Sequence, residues 1–295
     1  MSSLKVWLLA SRPKTLVAAI VPVVVGAAYA SRFTPLDPFI VACIAVSALC
    51  IQIGTNFAND YSDHQRGADV LRQGPTRVTQ SGLAKPAHVK RAAVIVFALA
   101  VLLGVPLVVR GGWPILLIGV LGILCGWAYT GGPFPFGYRG LGELFVFLFF
   151  GLAAVMGTTY LLTLEWHPPS ALIAIPSGLH ASALLAVNNL RDIESDCAAG
   201  KRTLAVMMGH RFAQWEFALF CILPFAVPVA LFFHGFANPI LLPLLSLPLL
   251  ILPIGIVVSR NEPTALIRAL GATARLQLVF GILFAVGLAL CVFSK

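Results

Sequence analysis

The sequence predicts an all-α fold: a polytopic membrane bundle of nine transmembrane helices, capped on the cytoplasmic side by the 2–3 and 6–7 loops. Three observations lead there. The 295 residues are 59% hydrophobic and only 11% charged, with a mean hydropathy of +0.93. The apolar residues gather in nine runs near the roughly 20 residues that cross a bilayer. The basic residues avoid those runs and crowd the loops of one side. Barrel strands would alternate in short segments, and these runs do not.

Each run has its place in that bundle. The first, 16–31, is followed by no small-residue cleavage pattern, so it reads as a span rather than a removable signal. The second, 38–57, ends in a cluster of acids. After the long polar loop 64–91 come 92–109 and 113–130, the latter closing at Tyr129 before a Gly-Pro-rich turn. The fifth, 142–164, follows Tyr138-Arg139-Gly140-Leu141-Gly142. The sixth, 170–190, ends in a second acidic cluster. Runs 214–233, 238–258 and 276–293 complete the set. No stretch between runs suits a separate soluble domain, so 1–295 is one transmembrane domain.

With the N-terminus inside, seventeen of the twenty Lys and Arg residues fall on the inner side. Only Arg32, Arg110 and Lys295 fall outside. This is the positive-inside pattern. It predicts a multi-pass protein of the cell inner (plasma) membrane, with the N-terminus cytoplasmic and the C-terminus outside. It also accounts for the net charge of +9 by contact with membrane lipid and not nucleic acid. The six cysteines form no CxxC pair; five lie inside the runs as small apolar residues.

The acids are the informative feature. Six of eleven carboxylates fall in two clusters. One is Asn56-Phe57-Ala58-Asn59-Asp60-Tyr61-Ser62-Asp63, with Asp69 just beyond. The other is Asn188-Asn189-Leu190-Arg191-Asp192-Ile193-Glu194-Ser195-Asp196. Each has Asn four residues before Asp and closes a span running from outside to inside. Closing the second and sixth spans, four apart, the clusters suggest a parallel duplication of a four-helix unit. Spacings of three and four stack Asn56, Asp60 and Asp63 on one helix face, and Asn188, Asp192 and Asp196 on another. Carboxylates at the mouth of a membrane bundle are costly and usually serve an ion or substrate. Two facing clusters suit Mg²⁺, a hard cation that takes oxygen ligands and bridges to phosphate.

Cations adjoin both clusters: Arg66 after the first, Lys201 after the second. A diphosphate carries more charge than one or two Mg²⁺ neutralise, so it needs them. Arg72, Lys85, Lys90 and Arg91 could equally anchor loops to anionic lipid. Of the bordering aromatics, Tyr129 is the best placed to face a carbocation. His64 could touch phosphate. Glu143 is expected to pair with Arg139 and hold the turn.

The motifs resemble those of the UbiA superfamily of intramembrane prenyltransferases, along nearly the whole chain. The resemblance rests on the two Asp-rich clusters and on Arg12-Pro13-Lys14-Thr15-Leu16. Tyr129-Thr130-Gly131-Gly132-Pro133, Gly137 to Glu143 and Gly200-Lys201-Arg202-Thr203-Leu204 extend it. Within the superfamily it is most similar to the branch acting on 1,4-dihydroxy-2-naphthoate in menaquinone or phylloquinone synthesis. That branch has a longer gap after the second Asp of the first motif: here the fourth position on is Gly67, and Asp69 comes two later.

The resemblance implies nine helices, a Mg²⁺ cofactor, a polyprenyl diphosphate donor and a 1,4-dihydroxy-2-naphthoate acceptor that loses CO₂. Asp60, Asp63, Asp192 and Asp196 would hold Mg²⁺, partly through the diphosphate. Asn56, Asn59, Arg66, Tyr129, Asn188, Arg191 and Lys201 would bind substrate, with Arg12 and Lys14 joining from the first span. Alternatives are a prenyltransferase for 4-hydroxybenzoate or a tetrapyrrole and, in another class, a secondary transporter. Transporter sites lie near the bilayer midplane, whereas these acids gather at one face.

Overall fold

The computed structural model describes residues 3–291 and is helical throughout, with no strand among them. Lys295, expected outside, lies beyond the described residues. A short helix α1, Ser3–Ser11, precedes the bundle. Eight helices are long and apolar enough to cross a membrane. They are α2 (Pro13–Ala30), α3 (Pro38–Gln65), α4 (Pro86–Gly111), α6 (Gly142–Thr163), α7 (Pro169–Arg191), α9 (Leu204–Phe233), α10 (Asn238–Ser259) and α11 (Pro263–Leu290). Between them lie the apolar α5 (Trp113–Ala128), of only 16 residues, and the short α8 (Ile193–Ala198).

Local chemistry sets the helix starts. Pro opens α2, α3, α4, α7 and α11, where its fixed φ suits the first turn and its missing N–H costs nothing. Asp37 caps α3 by accepting from the N–H groups of Phe39 (2.9 Å) and Ile40 (3.3 Å). Arg12 breaks the chain between α1 and α2 with φ 52°, a left-handed conformation unusual outside glycine.

Several boundaries differ from those read in the sequence. Helix α3 continues to Gln65, so the whole first acidic cluster is helical. The second straddles a break: Asp192 has φ −98° and ψ 11° between α7 and α8. Helix α11 starts at Pro263, well before 276, because a helix can project its polar first turns beyond the apolar layer. Much of α10, Asn238–Leu250, winds as a 3₁₀ helix, with Pro243 and Pro248 inside it.

Small residues bring helices close, as membrane packing requires. A Cβ on Gly26 of α2 would lie 2.7 Å from the Val155 carbonyl of α6. One on Gly151 would lie 2.9 Å from Gly178 of α7. One core joins α2, α7, α9, α10 and α11; a second joins α2 to α6. A cavity opens among α2 to α7, and its polar end is lined by residues of the segments 66–85 and 192–203.

Candidate active site

The cavity is about 880 Å³. Most of its wall is apolar and comes from α2 to α7. Its polar end holds Asn59, Asp63, Arg72, Arg77, Asp192 and Lys201. Along α3 the facing positions are Gln52, Asn56, Asn59 and Asp63, a stripe spaced by three and four. Asp60 lies off that stripe. Both its oxygens accept backbone N–H groups, from Val78 (3.1 Å) and Thr79 (3.0 Å), so it pins the segment after α3.

That segment carries the two cations that organise the mouth. Arg77 donates from Nη2 to Asp63 Oδ2 (2.8 Å) and from Nε to Asp69 Oδ1 (3.2 Å). Arg72 crosses to the second cluster, donating from Nε to Asp192 Oδ2 (3.0 Å). Asp192 also receives a bidentate pair from its neighbour Arg191, at 2.8 and 2.6 Å. Tyr138 donates its hydroxyl to Asp63 Oδ1 (2.9 Å), and Lys201 Nζ stands 3.4 Å from Asp196 Oδ1. The clusters thus meet through ion pairs with the segment between α3 and α4.

These pairings set the ionisation of the site. Burial pushes Asp69 up to about 7, with Asp63 adding to the rise and Arg72 opposing it. Burial likewise raises Asp196 to about 6, against the pull of Lys201. At Asp192 burial is outweighed by the Arg191 hydrogen bond and the Arg72 charge, which hold it below the usual carboxylate range. At Lys201 burial is outweighed by Asp196 and Asp63, so its pKa is raised. Burial, then Arg72, lowers that of Arg12.

The other residues singled out from sequence are placed as follows. Asn56 donates to the Ser11 carbonyl (2.9 Å) and ties α1 to α3. Asn59 accepts from Thr130 Oγ1 (2.8 Å). Asn188 is spent within its own helix, on the Leu184 carbonyl and Arg191. Arg66 is exposed and clasps the carbonyls of Thr130 and Gly132, away from the cavity. Arg12 and Lys14 line the cavity from the start of α2, and Arg12 Nη2 is buried with no hydrogen bond.

Two readings are corrected. Glu143 pairs with Asn189 (2.7 Å) and not with Arg139, whose guanidinium lies 3.5 Å above the Phe134 ring. Helix α6 turns the Glu143 side chain inward, toward α7. His64 bonds Gln80 (2.8 Å) and lines no part of the cavity.

The sequence left the roles of several residues open and gave no sign of others. Asp69, Arg72 and Arg77 complete the mouth network. Phe145 and Phe149 extend an aromatic wall that starts at Tyr129 and Phe136. Phe136 and Phe145 stack at 4.2 Å, and Phe145 and Phe149 lie 6.4 Å apart. A π-helical turn over Leu148–Ala153 brings both Phe149 and Phe150 to the cavity. Such turns are frequent at functional sites. No motif signals them, because they lie in an unbroken apolar run.

The donors at the mouth suit Mg²⁺. They are hard carboxylate oxygens, and Asp69 Oδ2 and Asp196 Oδ2 are buried with no hydrogen bond. Among the described residues, no three His, Cys, Asp or Glu side chains stand close enough to hold an ion by themselves. The set therefore fits an ion whose shell is completed by ligand oxygens.

Comparison with known proteins places this geometry. The UbiA prenyltransferase family model matches residues 19–279. The chain is 33% identical to a 1,4-dihydroxy-2-naphthoate octaprenyltransferase of Bacillus subtilis over 286 residues, covering 96% of the chain and 92% of the relative. It is 36% identical to the protein of that name in Escherichia coli over 297 residues, covering 97% and 96%. Among solved structures, a UbiA homolog from Aeropyrum pernix superposes with TM-score 0.72 at 14% identity, covering 91% of this chain and 96% of that one. A UbiA homolog from Archaeoglobus fulgidus bound to GPP and Mg²⁺ gives 0.65 at 15%, covering 95% and 100%.

Proposed function

The chain belongs to the UbiA prenyltransferase family, and from that premise we propose that it transfers a polyprenyl group from an allylic diphosphate to 1,4-dihydroxy-2-naphthoate. CO₂ is lost, and the product is demethylmenaquinol or its phylloquinone equivalent. The observation that carries the reading is one cavity with two unlike ends. Paired acids and cations crowd its mouth, and an aromatic, apolar wall runs into the bundle. The relatives' names supply the acceptor.

The mouth receives the diphosphate. Arg72, Arg77 and Lys201 offer charge-assisted donors to its oxygens. Asp63, Asp69, Asp192 and Asp196 supply the carboxylates for Mg²⁺, and Asp60 holds the segment that brings Arg77 into place. An ion held by these residues would supply positive charge against the leaving diphosphate. The allylic C–O bond breaks and its electron pair leaves with the diphosphate. The faces of Tyr129, Phe136 and Phe145 steady the allylic cation, and the apolar wall keeps water from it. The ring carbon bearing the carboxylate forms the new C–C bond. Its bond to the carboxylate then breaks, returning an electron pair to the ring as CO₂ departs.

The seventeen-to-three basic bias supports a mouth that faces the cytoplasm. Purified protein given carboxyl-labelled 1,4-dihydroxy-2-naphthoate, a prenyl diphosphate and Mg²⁺ should release one labelled CO₂ per product. Prenylated 4-hydroxybenzoate with its label retained would move the chain to another acceptor class.

A further inference from the structure

The wall opposite the first acidic cluster carries a second polar device that the diphosphate chemistry does not use. Asn189 is buried on α7, one turn before the break at Asp192, and lines the cavity. Its Nδ2 donates to Glu143 Oε1 at 2.7 Å. An ionised carboxylate offers only acceptors, so the amide turns its NH₂ toward the Glu143 carboxylate. Its carbonyl oxygen, Oδ1, is left on the other side and has no hydrogen-bond partner among the described residues. Asn188 has nothing comparable to offer, since Leu184 and Arg191 occupy both ends of its amide.

Glu143 is itself held in place. Its backbone carbonyl accepts from Ser182 Oγ (3.2 Å), fastening the start of α6 to α7. The preceding Gly142 is closely packed: a Cβ there would lie 3.0 Å from both the Tyr129 hydroxyl oxygen and a Leu185 methyl, so a neighbour would have to shift. Tyr129 lines the same cavity, with its ring edge-on to Phe136 at 5.4 Å. An aromatic surface and an unused carbonyl acceptor therefore share one patch of wall. An apolar guest would leave that acceptor unsatisfied, which disfavours it; a hydroxylated arene meets both groups.

We propose that Asn189 Oδ1 accepts a hydrogen bond from a ring hydroxyl of the aromatic acceptor, and that Glu143 is the positioning residue that fixes the amide in that orientation. The inference rests on the prenyltransferase reading and names the acceptor's anchor within it. A hydroxyl that donates in this way also releases electron density to the ring carbon that attacks. Glu143 touches no substrate and acts through Asn189.

The test measures competitive inhibition and steady-state kinetics on the full-length protein with Mg²⁺ and a prenyl diphosphate. Paired arene inhibitors, with and without the hydroxyl, read binding apart from chemistry. The wild type should prefer the hydroxylated member about tenfold, the size of one hydrogen bond. Asn189→Ala should lose that preference. Glu143→Gln can hand its own NH₂ to Asn189 and turn the carbonyl away, so it should lose the preference too. The double variant should be no worse than Asn189→Ala alone. KM for the prenyl diphosphate should stay within about twofold throughout.

A preference retained in Asn189→Ala, or additive losses in the double variant, would overturn the proposal. If Glu143→Gln does not fold, Asn189→Ala alone decides it by the same ratio. Which arene the wild type turns over judges the functional reading separately, because the inhibitor ratio is measured for whichever hydroxyarene it accepts. Turnover of none would overturn both.

Discussion

Arg72 and Asp192, 120 residues apart in sequence, meet at 3.0 Å and join the two acidic clusters across the mouth of the cavity. The same Arg72 Nε lies 3.9 Å from Asp69 Oδ1. Both partners are nearly buried, so the contact is screened far less than a surface pair.

Arg72→Ala should therefore cost more than one contact. It leaves Asp192 dependent on Arg191 and frees the segment after α3. We expect KM for the prenyl diphosphate to rise at least about tenfold, with a lower melting temperature. Arg72→Lys should rescue little, because an ammonium cannot reproduce the guanidinium's fixed fork, which also reaches the Pro75 carbonyl. Full activity in either variant would contradict a role at the mouth.

Asp60→Ala should act first on the loop. Two buried backbone N–H groups, of Val78 and Thr79, would lose their acceptor at a cost of about 1–3 kcal/mol each. Residues 66–85 should exchange amide hydrogens faster, and most activity should be lost while the helical circular dichroism stays unchanged. Unaltered exchange at Val78 and Thr79 would refute this.

Metal binding should depend on the donor substrate. No three acid side chains form a protein-only site among the described residues, so calorimetry should find weak Mg²⁺ affinity alone and much tighter binding with a prenyl diphosphate present. EDTA should abolish turnover and added Mg²⁺ restore it. Strong binding to the free protein would mean that the carboxylates close around the ion unaided.

Phe145→Leu keeps an apolar side chain but removes a π face between Phe136 and Phe149. A cation–π contribution of about 1 kcal/mol predicts a kcat roughly fivefold lower with little change in either KM. A pure packing role would lower the melting temperature and leave kcat alone.

Topology is best probed at exposed positions. Single cysteines at Gln73 and Ser31, in a background without the native six, should label from opposite sides of the membrane. Labelling of both from one side would defeat the assigned orientation. Asp69 is buried and would be a poor probe.

The two acidic clusters were legible because acids are so costly in a membrane that their positions stand out. Asp63 and Asp192 reach the cavity, whereas Asp60 and Asp196, which the same spacing put on their faces, do not line it. The choice between neighbours was not legible. Asn188 and Asn189 differ by about 100° around a helix, and the repeat of Asn four before Asp drew attention to the one whose amide is spent on its own helix. Arg66 adjoins the first cluster in sequence yet clasps a turn. Arg72 and Arg77, farther along the loop, reach the acids.

Composition, run length and charge bias are sums over single residues. They determined by themselves that this is a helical membrane bundle with its acids at one end, since transfer between water and lipid is decided largely residue by residue. Which oxygens remain unpaired, which arginine bridges the clusters and which amide keeps a free acceptor were decided by the tertiary structure alone. Those outcomes depend on distances between segments far apart in the chain, where a hydrogen bond gained or lost over a few tenths of an ångström outweighs any local preference.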